Sequence, residues 1–166
     1  MDSSKEIEER YNRLKKKVFD SESERPSVML NAPYADSWFL PSSKNYMVHL
    51  IEDAGGTFIL NRDNGSSSFP IDMEEAMMLV SNADFWLNIG DFKTKDALLQ
   101  DLPKFSKMKC VTNDNLYNNN KITGLTGGLD FFESGAVNPD LILRDLVKIF
   151  HPSLVEEDFV YYRQLK

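Results

Sequence analysis

Cysteine is all but missing from this chain. Cys110 is the single one among 166 residues, so no disulfide can form within the chain and no thiolate cage for a metal can be assembled. With Met108 and Val111 close by, the lone thiol reads as a buried structural one. Histidine is scarce as well: His49 lies in a helical pattern and His151 stands before Pro152, far from it. HExxH, a P-loop, GxSxG and a dinucleotide fingerprint are all missing, so no enzymatic reading starts from a motif. No apolar run approaches the roughly 18 residues of a membrane span. Basic charge is in the minority, with 19 Lys and Arg against 26 Asp and Glu for a net charge of −7. That balance argues against nucleic acid, because phosphate binding needs concentrated Lys and Arg. The one basic cluster, Lys15-Lys16-Lys17, falls near a helix end, where cations suit the dipole. No export signal is seen either. Met1-Asp2-Ser3-Ser4 leads straight into a charged helix, as in a cytoplasmic protein or in a piece of an exported one.

What is present is the composition of one ordinary domain, 42% apolar and 27% charged. Its organising stretch is Ser27 to Gly56. Val28-Met29-Leu30 is too short for a helix and is bounded by Pro26 and Pro33, so it reads as a buried parallel-type strand. Ala32 to Ser43 reads as a loop carrying Tyr34, Trp38 and Phe39, followed by a helix with Ser43 as N-cap and Gly55-Gly56 at its end. In an open α/β sheet the loop after a strand's carboxyl end is where ligands bind. Tyr34 and Trp38 are therefore candidates for the floor of a site, although loop aromatics also fold down as a lid on the core.

Before this stretch, Ser4 to Phe19 forms a helix with a narrow stripe of Ile7, Tyr11, Leu14 and Val18, which has little to bury and suits a helix bridging two bodies. After it come a strand at Thr57 to Leu60, a surface loop at Asn61 to Ser68 and a helix started by the capping box of Asp72 and Glu75. Glu74 in that first turn reads as a solvent carboxylate favoured by the dipole. A third strand spans Asp84 to Ile89, a helix Thr94 to Phe105, and a fourth strand Cys110 to Asn113, with Leu116-Tyr117 as an edge. The five asparagines between Asn113 and Asn120 read as turn chemistry. Asn138 and Pro139 start a helix to Phe150, and Val155 to Leu165 reads as a final amphipathic helix with Phe159 and Tyr162 on one side. The alternation predicts a three-layer αβα domain with a mostly parallel sheet of four to five strands.

Three separated stretches carry a family resemblance. ESGAVNPDLILRDLVKIFHPSL, YADSWFLPSSKNYMVHLIEDAGG and EIEERYNRLK fall in the order seen in periplasmic substrate-binding proteins of ABC importers for iron-siderophore, haem and cobalamin. The resemblance implies that residues 1–20 are part of a long helix joining two lobes and that 26–166 are the carboxyl-terminal ligand-binding lobe, the amino-terminal lobe lying outside the chain. It implies a periplasmic protein whose full-length form could be lipid-anchored, with an export signal ahead of the missing lobe. The resemblance further places Trp38 at a cleft-facing position, flanked by Tyr34 and Ser37. Asn88 falls at a strand end opening on the cleft, and Asp130, Phe131 and Phe132 on a loop that in relatives often reads Asp-Tyr-Trp. Two Phe residues here remove a hydroxyl and an indole N–H, leaving apolar contact as that loop's contribution. Glu74 matches the surface glutamate that meets a permease arginine.

The implied partners are a metal-chelate ligand, an ABC permease and the other lobe, with no cofactor, no catalytic residue, no metal ligand from the protein and no nucleic acid. Lys44 is the only cation beside Trp38, which leans away from a strongly anionic catecholate chelate and toward haem, cobalamin or a neutral one. The alternatives are a chelatase-like or nitrogenase-like enzyme subunit, for which Asp36, Asp130 and Glu133 are the only local titratable groups, and a cytoplasmic sensory domain of the same fold.

Overall fold

The apolar run at Val28 is the hub of a twisted sheet. The computed structural model describes residues 2–65, 67–122, 131 and 135–166. In chain order the elements are α1 (Ser4–Asp20), β1 (Ser27–Leu30), β2 (Ser37–Pro41), α2 (Tyr46–Asp53), β3 (Thr57–Phe58), β4 (Ser68–Asp72), α3 (Met73–Asn82), β5 (Phe85–Leu87), α4 (Lys95–Asp101), α5 (Lys109–Thr112), β6 (Leu116–Asn118), α6 (Pro139–Phe150) and β7 (Arg163–Gln164). β1 pairs in parallel with β3 on one side and with β5 on the other. β6 continues the parallel sheet beside β5, and β7 closes it antiparallel, giving the order β3-β1-β5-β6-β7. The chain runs outward from β1 to β3 and then crosses back to β5, so the order reverses between β1 and β5. Right-handed crossovers put α2 and α3 on opposite faces. α6 packs with α2 and carries α1 on its outer side, while α3 packs with α5. Strands covered on both faces should be apolar throughout, and Val28, Met29, Leu30, Trp86 and Leu87 are all fully buried.

The mostly parallel α/β architecture is as expected, but several elements differ. The stretch from Ala32 to Ser43 is not all loop: β2 runs through it and pairs antiparallel with β4, which likewise takes Ser68 from the expected loop. The sparse strand signal there came from Pro41 and Pro70, tolerated because a two-stranded ribbon has free edges. α2 is capped by Asn45, not Ser43, with the Asn45 side chain accepting from the Met47 N–H at 2.8 Å. α1 is capped by Ser3, one residue before the expected Ser4.

Cys110 to Thr112 is helical with Asn113 as the C-cap, not a strand. The Thr112 and Asn113 N–H groups donate to the Met108 and Lys109 carbonyls, and a four-residue apolar run cannot be assigned by periodicity. The fourth parallel strand is β6 instead, and it lies inside the sheet, not at its edge.

Val155 to Leu165 is not a helix either. The buried Asp145 carboxylate accepts from the backbone N–H groups of Val160, Tyr161 and Tyr162 at 2.7 to 3.1 Å, so those donors are taken by a residue of α6 and the chain stays extended into β7.

α1 buries little of its own surface. Only Val18 is fully buried, while Tyr11 and Leu14 are partly covered. Two polar contacts fasten its outer half: the Arg10 guanidinium donates to Asp140 of α6 at 2.8 Å, and the Tyr11 hydroxyl donates to Asp53 at the end of α2 at 2.6 Å. No helix among the described residues is long and apolar enough to cross a membrane.

Candidate functional site

Each of the three central parallel strands is followed or closed by asparagine. β1 runs into Asn31, β5 into Asn88, and β6 ends in Asn118 with Asn119 beyond it. Asn31 and Asn88 have φ of 69° and 61°, the left-handed region that asparagine tolerates better than other residues with side chains. The turn of the backbone there lets the chain leave the sheet at once and brings the strand tips around a depression of about 350 Å³. Asn31, Asn88 and Asn119 line it together with Asn45 and Ser68, while Leu30, Pro41, Met47 and Phe131 supply its apolar wall. It lies where the strand order reverses, the expected position of a ligand crevice in an open α/β sheet.

The two buried tryptophans hold this rim. The Trp38 indole N–H donates to the Leu30 carbonyl at 2.8 Å and that of Trp86 to the Asn31 carbonyl at 2.7 Å. Their rings lie 5.6 Å apart, with Phe105 within 6.0 Å of each. The Asn31 carboxamide donates to the Phe39 carbonyl, tying β1 to β2. Asn118 acts as an amide clamp: its oxygen accepts from the Ile89 N–H, and its nitrogen donates to the Ile89 and Phe92 carbonyls at 2.7 to 2.9 Å. Asn88 accepts from the Tyr162 hydroxyl at 2.8 Å. Burial and the nearby Asp145 push the Tyr162 phenol up, so it stays protonated and remains a donor.

The described lining of the depression is neutral. None of its described lining residues ionises, so it offers carboxamides and one hydroxyl that both donate and accept, beside an apolar wall. Among the described residues no group of three His, Cys, Asp or Glu side chains is placed to hold a metal ion. Cys110 is buried, and its burial pushes the thiol up to about 11, far from a reactive thiolate.

Of the residues singled out from sequence, Asn88 and Phe131 stand on this depression. Trp38 does not face a cleft. Strand alternation in β2 turns Trp38 and Leu40 inward and Phe39 outward, and Trp38 is 0% exposed in the core. Ser37 begins β2, and Tyr34 projects 82% exposed from the tight turn that links Tyr34 to Ser37; neither lines the depression. Asp130, Phe132 and Glu133 lie outside the described residues. Glu74 is solvent-exposed in the first turn of α3, next to the Asp72 cap. Asn31, Asn45, Met47, Ser68 and Asn119 were not anticipated. The signal that could have found Asn31 and Asn119 is the recurrence of asparagine at the end of an apolar strand.

Comparison of the whole fold gives its nearest context. The structure superposes on the TroA-like periplasmic binding protein FepB from Veillonella parvula with a TM-score of 0.63 and 16% identity, covering 96% of this chain and 54% of that one. The chain has the TroA-like binding-protein fold. A periplasmic haem-binding protein from Pseudomonas aeruginosa matches with a TM-score of 0.64 at 16% identity, covering 98% of this chain and 55% of that one. The iron-uptake ABC transporter substrate-binding protein PiaA from Streptococcus pneumoniae matches at 0.60 and 19% identity, covering 90% and 52%. No family model and no curated sequence matches. This TroA-like chain therefore spans about half the length of these structural neighbours, each of which is described as a binding protein.

Proposed function

We propose that the chain is the carboxyl-terminal lobe, with part of the interlobe helix, of an extracytoplasmic substrate-binding component of an ABC importer for a metal complex. The observation that carries this reading is the carboxamide-lined depression, free of ionisable groups among its described lining, at the reversal point of a TroA-like sheet in a chain about half as long as its structural neighbours. A chelated metal presents a bulky, partly apolar body whose charge is largely cancelled by its own ligands. Such a body suits an apolar wall with a few fixed polar anchors. The lack of cations among the described lining residues favours haem, cobalamin or a neutral ferric chelate over a catecholate complex. Exposed Glu74 is the proposed contact for a permease arginine, a charge pair that sets register and encounter rate more than affinity. An enzyme would need an acid, base or metal ligand at the depression, and its described lining supplies none.

The test is titration with haemin, cyanocobalamin and a ferric hydroxamate, followed by absorbance and tryptophan fluorescence, on this chain and on the same chain joined to its amino-terminal lobe. One of the three compounds is expected to saturate the two-lobed protein and to bind the single lobe at least roughly tenfold more weakly, because half the contact area is gone. Asn88→Gly, which keeps the left-handed backbone and removes the carboxamide, should weaken that binding. Failure of all three compounds to bind the two-lobed protein, or indifference to Asn88→Gly, overturns the reading.

A further inference from the structure

A groove between α1 and α6 concentrates positive charge in a chain whose net charge is −7. Arg10, Arg13 and Lys17 of α1 and Arg144 of α6 line a space of about 270 Å³, with Asp140 and Glu157 beside them. Most of these charges are engaged. Arg10 bridges Asp2 and Asp140, Lys17 donates to the Leu154 carbonyl, and an Arg144 terminal nitrogen reaches Glu157 at 3.4 Å. Arg13 has no partner among the described residues. Two further atoms are buried without a hydrogen-bond partner: the second carboxylate oxygen of Asp140, a residue 5% exposed, and the Nε–H of Arg144.

Asp140 and Arg144 stand one turn apart on α6, on the same face. The first is an acceptor in need of a proton donor, and the second a donor in need of an oxygen. A bare oxyanion answers only the second and is repelled by the first. A tetrahedral oxyanion that keeps one proton answers both, with P–OH donating to Asp140 and P–O⁻ accepting from Arg144 Nε and the free Arg13 guanidinium. We propose that this groove binds hydrogen phosphate. The site shares no lining residue with the strand-end depression, so it stands independently of the transport reading. A bridging water would satisfy the same two atoms but would leave Arg13 and the local excess of positive charge unmatched.

The experiment is titration of this 166-residue chain with inorganic phosphate, sulfate and methyl phosphate at matched ionic strength and about pH 8.5, followed by amide chemical shifts and calorimetry. Phosphate is expected to saturate, with shifts confined to α1, α6 and the lining segment from Leu154 to Glu157. At that pH inorganic phosphate keeps one proton, whereas sulfate and methyl phosphate have no O–H to give and should bind at least roughly tenfold more weakly. Arg13→Gln should weaken phosphate by about fivefold without changing the unfolding midpoint, since that side chain holds nothing in the fold. Asp140→Asn, whose amide donates to a bare oxygen, should bring sulfate level with phosphate. An equal, unsaturating response to all three anions, no response to phosphate, or an unchanged Arg13→Gln variant overturns the proposal. Should Asp140→Asn fail to fold, the phosphate-to-sulfate ratio and Arg13→Gln still decide it.

Discussion

The Tyr162 hydroxyl, buried at the far end of the chain, donates to the carboxamide oxygen of Asn88 at the tip of β5 over 2.8 Å. The same tyrosine is held through its backbone N–H by Asp145, so α6, the last segment and the strand-end depression share one polar chain of contacts. Tyr162→Phe removes only the hydroxyl. It is expected to cost about 1–2 kcal/mol in urea unfolding and to weaken ligand binding severalfold by freeing the Asn88 side chain. An unchanged unfolding curve would show that the bond contributes nothing.

Trp38 is a core residue, so its loss should be read in stability before binding. Trp38→Ala is expected to destabilise by about 3–5 kcal/mol, a large share of the roughly 5–15 kcal/mol that holds a domain folded. Trp38→Phe should cost less, losing chiefly the bond to the Leu30 carbonyl. Guanidinium unfolding measures both. A Trp38→Ala protein as stable as the parent would place the ring outside the core after all.

Asp84 clamps the start of β1 to α5. Its carboxylate accepts from Lys109 at 2.7 Å and from the Ser27 N–H at 3.0 Å, and these contacts hold its pKa below the usual carboxylate range. A depressed carboxylate stabilises the fold above the ordinary Asp value of about 3.9, and that contribution is lost as pH falls through the depressed folded value. Asp84→Asn should therefore be less stable than the parent at neutral pH and converge with it in acid. A constant difference across the acid range would contradict this assignment.

Gly55 ends α2 with φ of +87°, and a Cβ there would stand 2.5 Å from His151 Nε2 and 2.8 Å from a Val18 methyl. Its carbonyl is bonded to the His151 ring at 3.0 Å. Gly55→Ala meets both left-handed strain and overpacking, and is expected to destabilise by about 2–4 kcal/mol. Thermal unfolding checks this, and Gly55→Ala combined with His151→Ala should lose less than the two single losses added together.

Much of this was legible from local pattern. The apolar runs at Val28 and Phe85 are strands, Asp72 caps α3 by accepting from the Glu75 N–H, and α6 spans Pro139–Phe150 as its proline and apolar spacing predict. Trp38 was misplaced because a five-residue strand broken by proline hides its alternation, so an inward ring looked like a loop ring. Val155 to Leu165 was misread because its helical spacing is real, whereas the buried carboxylate that claims its N–H groups lies 15 residues upstream.

What the amino-acid sequence determined by itself is the α/β class, three of the four parallel strands and most helix boundaries, because periodicity, caps and proline act within a few residues of where they stand. What only the tertiary structure decided is which polar groups meet. The neutral depression exists because the reversal of strand order between β1 and β5 brings Asn31 and Asn88 side by side from positions 57 residues apart, a proximity that no local signal encodes.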